Sequence, residues 1–598
     1  MLKALYDYAQ RMNLTLPAGY AEKTIKAFLC LTRDGRFAGV RMDESNNFRC
    51  PDIGSLANGT DKSNLLVEKY SVIFPPELTP KSRFFREGMK DFGKIEPLAE
   101  VCWEALENPQ CCAEMVAALE QHKIKPPDRI SFMVESTYLV ECPTVEIWWN
   151  SYRKKFQKSA KKDELSRCLI TGEPTVPMAT VPKNTGLAVV GGHSSGDALI
   201  CFDKPAFCSY GLKKSANAPV SEEAFAQVKI ALDTLLKDAP SLAGMKFVHW
   251  YDKPLSETSM DPLTPVFGGL LSEEDEAEEE TEFLSQKDKE SAIIQARREA
   301  DRLVGSVESG QAATDLPSRY FILLLSGVSG RVMVRQFSQG SYEELKTNLD
   351  QWYSDLELID QYGSRTLKPV KLAARLIRLL KRQNNNKKVF ERLRDEIPGL
   401  TTAVFHAVVY GAKLPDSVAV RALQNIRSQM LTEEPDGNGL IVPDPISCQW
   451  LKAWLIRNQK EVFLMSEYNP NHPSPAYQVG AMVAVYAALQ QRAYPDVNVT
   501  VVQRFFASAQ QTPALVLGRL AKMSTHHLAK LENSVAKVYE SRLADIGARI
   551  GDQIPTVLAL PEQSLFALGY YQMTAAMNQE RRKRFDNKTV IGNKNEED

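Results

Sequence analysis

Among the residues whose types and spacing could do chemistry, the run Gly191-Gly192-His193-Ser194-Ser195-Gly196 stands first. Glycine lacks Cβ, so it permits positive φ and lets a backbone come close to a phosphate or a base edge, while the Ser194 and Ser195 hydroxyls can donate hydrogen bonds. Two nucleotide-binding readings fail on the neighbouring residues. A Walker loop needs Lys and then Ser or Thr after its last glycine, but Asp197 and Ala198 follow Gly196. A dinucleotide fingerprint spaces its glycines and opens a helix, whereas Gly191 and Gly192 are adjacent and the sequel reads as strand. The plainer reading is a tight β-connection with no ligand.

A second loop, Asn58-Gly59-Thr60-Asp61-Lys62-Ser63-Asn64, precedes the apolar Leu65, Leu66 and Tyr70. Taken alone, Asn-Gly signals a turn. Two basic stretches follow. Val145 to Lys162 interleaves Trp148, Trp149, Tyr152 and Phe156 with Arg153, Lys154, Lys155, Lys158, Lys161 and Lys162. That pattern reads either as an amphipathic helix with an aromatic core face or as a ridge facing phosphate. Between Asp360 and Glu391 every charged residue is Lys or Arg, and Lys371, Arg375, Arg378 and Arg382 recur at helical spacing, opposite Leu372, Leu376, Leu379 and Leu380. A face of one sign suggests a clamp on a nucleic-acid backbone that reads no sequence.

The cysteines, at 30, 50, 102, 111, 112, 142, 168, 201, 208 and 448, contain no C-x-x-C pair, and the histidines, His526-His527 included, lack ligand spacing. No metal and no cofactor is therefore expected. No acidic cluster for two-metal hydrolysis and no nucleophile-base set stands at recognisable spacing, so catalysis is not expected either. Formal net charge is −1 over 598 residues, which leaves any contact with nucleic acid to local basic faces. No apolar run approaches the ~20 residues of a membrane span, and no signal peptide is read at the start. Packed free thiols in a reducing, cytoplasmic setting are expected.

The elements that must hold these residues read as α+β: a mixed N-terminal α/β body with β-hairpins, then a predominantly helical region ending in an antiparallel α-helical bundle. Leu2, Leu5 and Tyr8 mark an opening helix. Thr24 to Met42 reads as a hairpin around Asp34-Gly35. The apolar runs Leu187 to Val190 and Ala198 to Phe202 read as strands flanking the glycine loop, and Ser221-Glu222-Glu223 opens a helix, with Phe225, Val228, Leu232 and Leu235 inward, that should pack on the sheet behind it. Ser272 to Glu282 (SEEDEAEEETE) marks the clearest boundary, an acidic linker. Phe283 to Leu303 reads as helix, and Tyr320 to Ser326 and Arg331 to Phe337 as strands around a Gly327 to Gly330 turn. The resulting division is 1–271, 272–282, 283–440 and 441–598. In the last part, Val479, Met482, Val483, Tyr486 and Leu489 form one apolar stripe, and Phe566, Tyr570, Met573 and Met577 another.

Four blocks, in order, carry a resemblance. They are Leu2 to Arg11; Arg167 to Glu173 with Ser194-Ser195-Gly196, Phe202, Ser209-Tyr210-Gly211 and Asn217 to Ser221; Tyr320 to Phe337; and Lys452 to Asn458. Together they resemble the CRISPR-associated large subunit of type I-C Cascade, with Val181 and Asp203 departing from the family's usual histidine and asparagine. The resemblance implies a nonenzymatic, RNA-guided surveillance subunit that checks the protospacer-adjacent motif (PAM), supports strand separation and R-loop formation, and helps recruit a helicase-nuclease. An RNA- or nucleotide-processing enzyme and a purely architectural subunit are the other readings.

Implied partners are CRISPR RNA, target duplex DNA and its displaced strand, the Cascade backbone and guide-end-capping subunits, and a small subunit. In such systems the small subunit looks like a separately translated C-terminal copy, for which Met465 is the candidate start of a 465–598 product. The resemblance also places Asn58 and Gly59 toward the PAM. There an amide suits minor-groove acceptors and a missing Cβ avoids the sugar walls. Lys62 would hold a neighbouring phosphate, and Asn64 is a further PAM-facing candidate of the same loop. Gly191, Gly192, Ser194, Ser195 and Gly196 are the second PAM-facing set.

Overall fold

The computed structural model describes every residue except 15, 43–46, 55–60, 157–164, 179, 243, 256–260, 268–315, 361–374, 377, 381–391, 393–395, 433–440, 496, 498 and 595–598. Asn58, Gly59, Lys158, Lys371, Arg382, the acidic run at 272–282 and the expected helix at 283–303 thus lie outside the described residues. The chain is α+β and forms two compact units, one of Met1–Asp238 with Leu325–Phe337, the other of Ala239–Leu324 with Ser338–Asp598. The contact boundary therefore falls ahead of the acidic run.

The first unit opens with α1 (Leu2–Arg11), β1 (Tyr20–Thr24), β2 (Ala27–Leu31), β3 (Phe37–Met42), β4 (Asn47–Pro51) and β5 (Glu68–Lys69). Strands β2 and β3 pair antiparallel, Cys30 opposite Gly39, and Gly35 turns the chain between them at φ 79°. This is the hairpin that Asp34-Gly35 announces. Helices α2 (Tyr70–Ile73), α3 (Pro80–Gly93), α4 (Pro97–Glu107) and α5 (Pro109–Gln121) then carry the chain to β6 (Arg129–Val134), which pairs parallel with β2. Proline at the first turn of α3, α4 and α5, with Thr79, Glu96 and Asn108 accepting backbone N–H bonds ahead of it, sets each helix start. The sheet order is β3-β2-β6-β5, with the short β7 (Thr137–Tyr138) on β6, while β1 and β4 pair separately.

Helix α6 (Thr144–Lys154) buries Trp148 and Trp149, and Trp148 stacks on Phe92 at 4.5 Å. The hairpin β8 (Ser166–Arg167) and β9 (Pro174–Thr175) follows. Helix α7 (Glu222–Lys237) starts at Ser221, whose hydroxyl accepts from Ala224 N–H at 3.1 Å, and Phe225, Val228 and Leu232 are buried. Its main partner is α1 rather than a sheet.

The second unit carries β10 (Ser241–Leu242), β11 (Met245–Tyr251) and α8 (Thr264–Phe267). Strands β12 (Arg319–Val328) and β13 (Arg331–Ser341) complete the order β10-β11-β12-β13, and the tip of this hairpin, 325–337, belongs to the first unit. Ser329 and Gly330 turn it at φ 49° and 82°, the signature of a two-residue hairpin turn.

Helices then dominate: α9 (Tyr342–Leu356), α10 (Pro398–Tyr410), α11 (Asp416–Thr432), α12 (Pro445–Trp454), α13 (Pro475–Ala493), α14 (Val501–Gln511), α15 (Pro513–Ala529), α16 (Asn533–Ile550) and α17 (Leu560–Lys594). Both apolar stripes of the bundle are buried. Helices α13 and α17 cross antiparallel. A Cβ on Gly480 would enter the Phe566 carbonyl, and one on Gly569 the Tyr477 carbonyl. Tyr477 hydroxyl also donates to Gln572 at 2.6 Å. Among the described residues no helix is long and apolar enough to cross a membrane.

Candidate nucleic-acid interface

The glycine loop is not a strand connection. Leu187 carbonyl accepts from Val190 N–H at 3.0 Å and from Gly192 N–H at 2.9 Å, which curls Ala188–Val190 into one 3-10 turn. Beyond the loop, Ala198 bridges alone to β13: its N–H donates to Gly330 carbonyl at 2.9 Å and its carbonyl accepts from Val332 N–H at 3.0 Å. The two expected strands are thus a turn and a bridge: local bonds to the Leu187 carbonyl curl the first run, and the second pairs with β13 at Ala198.

Asp197 holds the loop. It is fully buried, both its carboxylate oxygens accept from His193 N–H at 3.2 and 3.1 Å, and its backbone pairs in both directions with Asn184 at 2.8 Å. Asn184 side-chain amide in turn donates to Asp233 of α7 at 2.9 Å. The glycines serve this packing. A Cβ on Gly191 would meet Gly327 carbonyl at 2.7 Å, one on Gly196 would meet Asn184 carbonyl at 2.8 Å, and one on Gly192 would enter Asp197 and Leu187. Their small size therefore answers a contact within the protein. What remains outward is the tip, His193, Ser194 and Ser195, all exposed.

The blocks around the loop converge as well. Leu169 N–H donates to Pro219 carbonyl at 2.9 Å and Ser221 N–H to Cys168 Sγ at 3.4 Å, so the Arg167 to Glu173 turn docks on the segment leading into α7. Burial alone would raise the Cys168 thiol. Hydrogen bonds from Thr171 hydroxyl and from the Thr171, Ser221 and Ile170 amides outweigh it and bring the pKa down to about 7. Sequence reading did not single out Cys168 or Asp197. The signal was present in each, an Asp directly after the loop's last glycine and a Cys four residues before Gly172, and the Cys168 carbonyl closes that turn on Gly172 N–H at 2.9 Å.

The loop at 58–64 is described only at its end. Lys62 is half-buried with its ammonium 5.1 Å above the Phe156 ring. Asn64 is committed to the protein, its side-chain oxygen accepting from Ile53 N–H at 3.2 Å and its N–H donating to Glu68 at 2.9 Å. These bonds stabilise the loop's return and turn the Asn64 oxygen inward.

Arg153 and Arg375 are both buried. Arg153 lies four residues after Trp149, on the buried face of α6, where it donates to Ala18 carbonyl at 3.0 Å and pairs with Glu222 at the start of α7. Gly19, at φ 81°, leaves the room its guanidinium fills. Lys154 is exposed, and Lys155 pairs with Asp91 at 3.2 Å. In the second unit, Arg375 is buried and donates to Gln449 at 2.6 Å, and burial pushes its guanidinium down to about 10. Arg378 is half-buried. The basic block Lys452 to Asn458 is structural: Lys452 donates to Ser354 carbonyl at 3.0 Å, and Arg457 meets Asp355 at 2.5 Å with both side chains buried.

Among the described residues no group of three His, Cys, Asp or Glu side chains could hold a metal ion. The convergent surface is a turn with a polar tip, His193, Ser194 and Ser195, held from behind by Asp197. No curated protein matches the chain. The family described as CRISPR-associated protein Cas_Csd1 matches residues 5–578, nearly the whole chain, and the chain belongs to that family.

Proposed function

We propose that the chain is the large subunit of a type I-C CRISPR RNA-guided surveillance complex, and that it acts by binding rather than catalysis. Guide pairing supplies the target sequence, and this subunit checks the PAM in the adjacent duplex, supports strand separation and R-loop formation, and offers a surface to the helicase-nuclease. Protein contacts of that kind read a short tag while base pairing reads the rest. Its partners would be CRISPR RNA, target duplex, displaced strand, backbone and guide-end-capping subunits and a small subunit. Internal initiation at Met465 would supply the last of these.

The observation that carries the duplex-facing part is the His193-Ser194-Ser195 tip. It is exposed, small and hydroxyl-rich, and Asp197 and the Gly327 contact fix it from behind. A preordered tip loses little conformational freedom on binding. The test is binding of the assembled complex to guide-matched duplexes with and without the PAM. Ser194→Ala with Ser195→Ala is expected to weaken binding about tenfold on the PAM-bearing duplex, the worth of one or two hydrogen bonds, and to leave the PAM-less duplex unchanged. Equal affinity of variant and parent for both duplexes would remove the role. Cleavage by the purified chain with magnesium or manganese would contradict the nonenzymatic reading.

A further inference from the structure

A second exposed turn in the first unit has a different chemistry. From Lys204 to Asn217 the sequence holds Lys204, Lys213 and Lys214 and no acidic residue. Residues 203–207 and 209–214 are exposed, and Tyr210 is 99% exposed, a large ring placed wholly in solvent. It is not loose. Leu212 N–H donates to Ser209 carbonyl at 2.9 Å, and Tyr210 and Gly211 both take left-handed backbone, at φ 52° and 72°. Glycine adopts that conformation freely, but an aromatic residue does so only when its surroundings impose it.

Asn217 imposes it. Its side-chain oxygen accepts from Ser209 N–H at 2.8 Å, and its amide donates to the Leu212 and Lys214 carbonyls at 3.1 and 2.9 Å. At the base, Arg331 pairs with Asp203 at 3.2 Å and lies 5.1 Å above the Phe207 ring. The turn thus holds a bare tyrosine outward, in a segment that also carries three exposed lysines. Among the described residues, neither Tyr210 nor these lysine side chains has a hydrogen-bond or ion-pair partner.

We propose that this turn binds single-stranded DNA, with a base stacked on Tyr210 and flanking phosphates on Lys204, Lys213 and Lys214. The chemistry selects this partner. A ring at a turn tip stacks only on a base whose face is open, and the bases inside a duplex cover one another. Lysine is depleted in protein-protein interfaces, whereas aromatic rings set among cations are the recurrent platform for single strands. Such a site is tolerant of sequence, because every base presents a π-face. Assigning the strand as the displaced one rests on the function proposed above; the stacking does not.

The test uses the full chain alone, without guide or PAM, so its outcome is separate from that of tag recognition. Fluorescence anisotropy would follow a labelled oligothymidylate of about 16 nucleotides, the upper end of single-strand site sizes. Tyr210→Phe keeps the ring and is expected to bind as the parent does. Tyr210→Asn tolerates the left-handed backbone, removes the ring, and is expected to bind about tenfold more weakly, the size of one base-aromatic stack. Lys213→Ala with Lys214→Ala is expected to lower the salt slope by about 1.4, two single-strand phosphates. Parent-like binding by Tyr210→Asn, loss in Tyr210→Phe equal to that in Tyr210→Asn, or no preference of the parent for the oligonucleotide over its duplex would overturn the proposal.

Discussion

Gly480 and Gly569 in the helical bundle, and Gly192 and Gly327 in the N-terminal unit, meet the same steric demand: a Cβ on either member of each pair would run into neighbouring backbone. Their surroundings differ. The bundle crossing lies among the buried Tyr477, Ala481, Phe566 and Tyr570, so it serves packing on every side. The loop crossing is the last enclosed point before His193, Ser194 and Ser195 turn outward. Close backbone packing by itself therefore says nothing about a ligand; what the contact presents on its far side does.

The largest break in this comparison is expected in the bundle. Gly480→Ala or Gly569→Ala should destabilise by about 3 kcal/mol, the upper range for overpacking, because neither helix can move without opening the buried stripe. Chemical denaturation of the full chain would measure it. Gly192→Ala or Gly327→Ala should cost less, about 2 kcal/mol, since the far side of this contact is exposed rather than packed in a core. Asp197→Ala should cost about 1.5 kcal/mol, because it leaves His193 N–H without its acceptor. If the loop glycines prove as costly as the bundle pair, the turn is a core element and its tip is incidental.

A pH dependence sharpens the same contrast. The Cys168 thiol is depressed from its ordinary value near 9 to about 7 in the folded protein. Between these values the unfolded chain holds more protons, so stability rises with pH across that window, and the contribution is lost as pH falls through 7. Cys168→Ser should flatten this rise in denaturation midpoints measured from pH 7 to 9. A slope unchanged by the substitution would mean that the thiol's hydrogen bonds do not hold the turn against α7.

Much of the scaffold was legible before the structure. Asp34-Gly35 and Gly327 to Gly330 marked hairpins that form, and Ser221-Glu222-Glu223 marked the start of α7. These signals are local, since turn and cap residues act on backbone within a few positions. The site was harder. Runs of four or five apolar residues beside the loop do not distinguish strand from turn, and the close approach of Gly327 to Gly191 and Gly192 joins residues far apart in sequence. Arg153 and Arg375 looked like phosphate ligands because helical spacing shows which residues share a face but not what covers it. Their partners, Glu222 and Gln449, stand 69 and 74 residues away.

The central claim is that the loop glycines work inward and the hydroxyl tip works outward, and one paired measurement on Ser194→Ala with Ser195→Ala tests it. The unfolding free energy should stay within the change expected of a surface substitution, about 0.5 kcal/mol, while affinity of the assembled complex for a PAM-bearing duplex drops about tenfold. Unaltered affinity in a fully folded variant would contradict the account.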